Sequence, residues 1–365
     1  MFLLYVDKGR IDAYVPDGSI TWPYKTIQSA LTQAASILLT NAADKPGVSI
    51  VISPNNYTEN CSFIFPSPYG KLDIKSEGGR DSLKIQSLEI TPAIGTDGSN
   101  YNWLNIYDIT FENGTSTKSP LHFHSNGGIR SHIWGCKITT DNDVPLWTIG
   151  DSGSSGQLMI HAYNNCKLDR NGSSKTTPAI LINGQSASIT FDFQGRIECD
   201  GNAIPAVVQS FGNVQLDMQN ASILSHAFRP CFECNNSTQL ILTNCKLYPY
   251  SGTGIIHNGV YPGDTATIIL DGCFFFLATY APPLGLAIDA LGAIVSVGAI
   301  SWDGAIAVLG DITALMNVTP ILFKRLQTSY TINYTPTTLT DWNVTPVNTQ
   351  EALDELAARI TALEP

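Results

Sequence analysis

The sequence has 365 residues, 43% of them hydrophobic and only 14% charged, with a net charge of −11 and a pI of about 4.9. An ordinary globular domain carries about 25% charged residues, so this chain covers a large apolar core mainly with uncharged polar groups. No run of Lys or Arg offers the basic footprint that a phosphate backbone requires, which argues against nucleic acid as a partner. The most apolar region, residues 284–309, is broken by Asp289, Asp303 and several glycines, which argues against membrane insertion.

The chain opens with Met1-Phe2-Leu3-Leu4-Tyr5-Val6. Asp7, Lys8 and Arg10 end this run too early for an export signal, and no basic region precedes it. From Asp17-Gly18-Ser19 the chain passes through Pro23-Tyr24-Lys25-Thr26-Ile27-Gln28-Ser29-Ala30-Leu31 into an amphipathic pattern that predicts a helix to about Leu39. Residues 48–52 then read as a strand and Pro54-Asn55-Asn56-Tyr57-Thr58-Glu59 as a turn. This succession resembles the opening of pectin-lyase-like right-handed parallel β-helices. The resemblance implies an N-terminal cap over residues 1–60, whose helix covers the open end of the solenoid, where edge strands need protection. It speaks to fold and not to activity, because enzymes and inert spikes share it.

From residue 61 to 280 short β-rich runs recur, many ending on a small residue. Taking that residue as an anchor gives Ile109, Cys136, Cys166, Gly195, Ala221, Cys245 and Cys273, at intervals of 27, 30, 29, 26, 24 and 28. A wandering period suits a coil of three short strands with variable corners, not a helical repeat of fixed length. Within each run apolar and polar residues alternate, as strands with one face inside require. Each coil then buries its inner face only by stacking on its neighbours. The anchor cysteines read as small buried hydrophobes, and Asn165, Asn220 and Asn244, each just before an anchor, as a corner ladder. The eight cysteines do not predict a disulfide framework without an export signal. Cys231-Phe232-Glu233-Cys234 lacks the second pair of ligands that zinc would need.

Residues 281–333 lose the register and read as a terminal β or packing region, and residues 334–347 as an extended Thr/Pro linker. Residues 348–365 predict a helix with Leu353, Leu356, Ile360 and Leu363 at a/d spacing, a coiled-coil seam too short to be stable alone. The tail from Asn333-Tyr334-Thr335 to Glu364 resembles the C-terminal segment of many bacteriophage virion proteins. That resemblance implies a homotrimer located on the virion, touching other capsid or tail proteins. With the cap starting almost at Met1, attachment to the particle would fall to the first residues, the solenoid flank or the C-terminal part.

The expected fold is therefore all-β: a right-handed parallel β-helix with an N-terminal capping helix and a short C-terminal coiled coil. The expected function is a structural virion protein of fibre, spike or decoration type, able to contact host surface polysaccharide, with no cofactor. Two alternatives stand beside it: a spike enzyme that cleaves such a polysaccharide, and a receptor module that binds it without cleavage. Cleavage needs two carboxylates about 5–10 Å apart, and Asp192, Glu198 and Asp217 are the candidates, with Asp200, Asp141 and Asp143 behind them and Arg196 as a basic neighbour. Trp134, Trp147 and Tyr163 are candidates to line a sugar groove. His122 and His124 share a strand face, but two ligands without a third do not predict a metal site.

Overall fold

A computed structural model describes residues 1–44, 47–94, 101–113, 117–170, 172, 175–200, 204, 206–225, 230–249, 255–258, 267–276, 288–291, 294–297, 299–303 and 322–323. The strands stack in parallel register on three faces, so the fold is a parallel β-helix. The first face begins with Phe2–Val6, Gly47–Ile52, Lys71–Ser76, Asn102–Tyr107 and Ile129–Trp134. It continues through residues 157–163, 188–193 and 214–219 to Gln239–Thr243, Thr267–Asp271 and Ile294–Val297. The second face includes Thr110–Asn113, Lys137–Thr140, residues 166–170 and 195–199, Ser222–Ser225 and Lys246–Pro249. The third includes Leu121–Phe123, Trp147–Ile149, residues 180–184 and 208–212, and Phe232–Asn235.

Alternation builds the interior. Leu158, Ile160 and Ala162 point in, whereas Met159, His161 and Tyr163 lie on the partly exposed side. One apolar core runs from Leu4 to Cys273. The register puts Cys166 opposite Gly195 and stacks the residue before each of Thr110, Lys137, Lys167, Arg196, Ser222, Lys246 and Phe274. Those residues are the seven anchors. The anchor thiols donate to carbonyls of the preceding coil, Cys166 to Ile133 at 3.7 Å, Cys245 to Met218 at 3.1 Å and Cys273 to Leu242 at 3.3 Å. All eight cysteines are free and buried. Burial pushes the Cys234 thiol up to about 12 and raises the Cys231 thiol too.

The corner before the anchors explains the asparagines. Asn165, Asn220 and Asn244 all take a left-handed backbone, with φ of 60°, 52° and 52°, and Asp108, Gly135 and Gly272 take it in other coils. Glycine, asparagine and aspartate reach this region at least cost. At Gly272 a Cβ would lie 2.2 Å from Asn244 Oδ1, so the asparagine of one coil occupies the space above the glycine of the next. What the corner residues share is thus a backbone conformation.

The predicted N-terminal helix spans Ile27–Thr40 and buries Ile27, Ala30, Leu31, Ala34 and Leu38 in the core. It packs on Phe2–Val6, Gly47–Ile52 and Asn55–Ile64. The stretch expected to be a turn is instead the start of the strand Asn55–Ile64, whose register shifts between Tyr57 and Asn60. Tyr57 Oη accepts from the Lys8 amide at 3.2 Å, and the Glu59 carboxylate accepts from the Ile27 and Gln28 amides at 3.1 Å each. A carboxylate on a helix N-terminus satisfies orphan donors and complements the dipole.

At the far end, Ile288–Leu291, Ile294–Val297 and Ala299–Asp303 pair in parallel with the preceding coil. The stack therefore continues past residue 280, where the sequence pattern loses its register. Rungs of four or five residues among Ala and Gly show too little alternation to reveal a period. The linker and the seam of Leu353, Leu356, Ile360 and Leu363 lie outside the described residues. Among the described residues no helix is long and apolar enough to cross a membrane.

Candidate functional site

The outward side of the first face carries a continuous polar line. Asp73 stands opposite Asn105, Asn105 opposite His132, His132 opposite His161, His161 opposite Asp192, and Asp192 opposite Asp217. Period-two alternation places these side chains on one surface, one inter-strand step of about 4.8 Å apart. Asn105 Nδ2 donates to Asp73 Oδ1 at 2.6 Å, and His161 Nδ1 lies 2.5 Å from Asp192 Oδ2. Burial raises the Asp217 carboxyl above its ordinary range and the nearby Asp192 adds to this, against the opposing hydrogen bond from Gln219. Burial likewise lowers His132, helped by His161 and Arg130.

Aromatic rings flank this line. The Tyr163 ring stacks on His161 with centroids 5.8 Å apart, and Trp134 meets Tyr163 edge-on at 6.0 Å. The Arg130 guanidinium lies 5.0 Å from the rings of both Tyr101 and Trp103. Tyr69, Lys71, Trp103, Asn105 and His132 line an open depression on the same surface. Flat rings beside hydrogen-bonding groups suit a neutral, hydroxyl-rich ligand.

The sequence candidates divide accordingly. Asp192 and Asp217 come together on neighbouring coils. Glu198 does not join them: it lies on the second face, opposite Asp169 and Leu224. Arg196 pairs with Glu198 at 2.8 Å rather than serving Asp192. Trp147 lines no groove; it is fully buried between Phe123 and Phe191, with centroids at 5.9 and 5.2 Å. Asp143 is occupied structurally, accepting from the amides and hydroxyls of Thr176 and Thr177 at 2.6–3.1 Å. His161 and His132 were not among the candidates, although they complete the line.

A second cluster sits on the third face. His122 Nε2 is 3.1 Å from Asp151 Oδ1, and His124 Nδ1 is 2.9 Å from Asp151 Oδ2. The third group that the two histidines lacked in the sequence is Asp151, one coil further on. Gly150 puts it there: φ of +81° turns the chain after Trp147–Ile149, and the Gly150 amide bonds the Phe123 carbonyl at 2.8 Å. A Cβ at Gly150 would come 2.4 Å from the Asn183 carbonyl oxygen, so glycine is required.

The fold and these surfaces define a parallel β-helix with a decorated flank. No family model matches the sequence, and no curated protein matches it. Among solved structures the chain is similar to the ORF18 protein of Geobacillus virus E2, with 12% identity and a TM-score of 0.53 over 82% of this chain and 57% of that one. The chain thus spans little more than half the length of that relative. A pectin methylesterase from Aspergillus niger follows at 13% identity and a TM-score of 0.35 over 86% of this chain and 93% of that one. Escherichia coli ybhc shows 9% identity and a TM-score of 0.35 over 75% and 72%.

Proposed function

We propose that this chain is a structural component of a phage particle, a β-helical fibre, spike or decoration protein that forms a homotrimer and presents its first face to host surface polysaccharide. The N-terminal helix is its end cap and residues 348–365 its clamp. The reading is carried by the stack of parallel coils together with the two-heptad apolar pattern of Leu353, Leu356, Ile360 and Leu363 later in the sequence. A helix so short is marginal alone, and seams of several copies would stabilise one another. The β-helix shared with a protein of Geobacillus virus E2 supports it. Light scattering tests it: the full chain should have a trimer's mass, and removal of residues 342–365 should weaken the trimer. A monomer in both cases overturns the proposal.

A second reading, cleavage of that polysaccharide, is favoured by one observation. Asp192 and Asp217 are one coil apart, near the spacing of a retaining carboxylate pair, and Asp217 is held toward its protonated form. Asp217 would then be the acid and Asp192 the nucleophile. Shortening of a bound glycan by the wild-type chain, abolished in Asp217→Asn, would establish it. Binding with unchanged chain length would leave a receptor surface.

A further inference from the structure

We propose that His122, His124 and Asp151 bind a divalent transition-metal ion that clasps two neighbouring coils. The three groups offer one ligand atom each, all within 4.8 Å of one another. The two imidazole rings lie side by side with centroids 4.0 Å apart, and each directs a nitrogen to a different oxygen of the same carboxylate. An ion between them would replace the two shared protons and keep the three side chains where they are.

The surroundings hold the donors in place. Ser125 donates its amide to Asp151 Oδ2 at 3.3 Å, and its hydroxyl accepts from the Asp151 amide at 2.9 Å. Such outer contacts orient ligands in metal sites. The nearby cation is engaged elsewhere, since Lys118 pairs with Glu89 at 2.8 Å. The three side chains are 21%, 26% and 28% exposed, so an ion could enter and water could complete its shell. Two imidazoles and one carboxylate suit zinc, cobalt, nickel or iron(II), and not calcium or magnesium, which prefer oxygen ligands throughout.

The test is titration of the chelator-treated full chain with Zn²⁺ by calorimetry and with Co²⁺ by visible absorption. The expected result is one ion per chain, with cobalt ligand-field bands and a raised melting temperature. Asp151→Asn and the double variant His122→Gln, His124→Gln should each bind at least about tenfold more weakly. His161→Gln, on the first face, should bind as the wild type does. Absence of stoichiometric binding or of cobalt bands in the wild-type chain overturns the proposal, whatever the variants do. So does wild-type affinity in the folded Asp151→Asn protein.

Discussion

The inner and outer sides of the same strands follow different rules. Inside, coil after coil repeats: Cys136, Cys166, Gly195, Ala221, Cys245 and Cys273 fill one column with small groups. Outside, the column Asn105, His132, His161, Asp192, Asp217 passes from amide to imidazole to carboxylate within five coils. The interior must satisfy close packing against both neighbours, and any departure is felt in stability. From His132 onward the flank is partly exposed to solvent, so its residues can vary with less cost to the fold, whereas Asn105 and Asp73 at its start are buried and bonded to each other. Substitutions that matter for folding should therefore be found inside, and those that matter for recognition outside.

The sharpest test is a cation on the wrong side of this division, the most deeply buried among the described residues. Arg170 is fully buried, and its guanidinium donates to the carbonyls of Val144 and Pro178, each at 3.1 Å, to Thr177 Oγ1 at 2.8 Å and to the Thr177 carbonyl. Asn113, Thr140 and Ser225, in register with it, are buried polar residues too, so the second face ends in a polar seam that ties down corner loops. Arg170→Met should leave several carbonyls unpaired and cost about 3 kcal/mol or more in a denaturant melt. A loss below about 1 kcal/mol would mean that the interior tolerates polar change as the flank does. Next in size is Gly195→Ala. The added Cβ would come 2.1 Å from the Cys166 carbonyl oxygen, so the coils must part, at about 1–3 kcal/mol by the same melt.

The same division explains what the sequence could tell. The anchors and the alternation were legible because the interior repeats them. The pairing of Asp192 with Asp217 was within reach, since both precede an anchor by three or four residues. His161 was not, because the corner after its strand is longer. Residues 163–165 separate Ala162 from Cys166, whereas residue 194 alone separates the equivalent Phe193 from Gly195. Counting back from the anchor therefore misses His161, and only the strand pairing restores it. Asp151 left a fainter signal: it follows His124 by 27 residues, one repeat, but Gly150 and a corner decide that it faces the histidines. Glu198 and Trp147 misled for the opposite reason. Residue type suggested a site, while a different face and an inward position decided otherwise.

A smaller effect is expected where a flank residue has a structural task. Burial works to raise Asp143, but hydrogen bonds from Thr176 and Thr177 outweigh it and hold the carboxyl down at about 2. A depressed folded-state value stabilises above the unfolded value of 3.8, and the contribution disappears as pH falls toward 2. Asp143→Asn should thus melt below the wild type at pH 5–7, by no more than about 1 kcal/mol because solvent screens so exposed a group. The two curves should converge near pH 2. A gap that persists there would assign the loss to loop packing instead of charge.

Trp134 should show the least change in stability and the clearest change in recognition. It is 43% exposed and touches Tyr163 edge-on at the border of the histidine–aspartate line. Trp134→Ala removes an outward ring, so its melt should stay within about 0.5 kcal/mol of the wild type. The flank it leaves loses one of the flat apolar surfaces against which a sugar ring would lie. Binding of a host polysaccharide, read by calorimetry on the folded variant, should weaken about fivefold or more. The Tyr163→Ala variant should behave similarly, since the two rings form one surface with His161. A large drop in melting temperature would move Trp134 to the structural side of the comparison. Unchanged binding in both variants would shift the ligand surface away from this edge of the first face and toward the Trp103 depression.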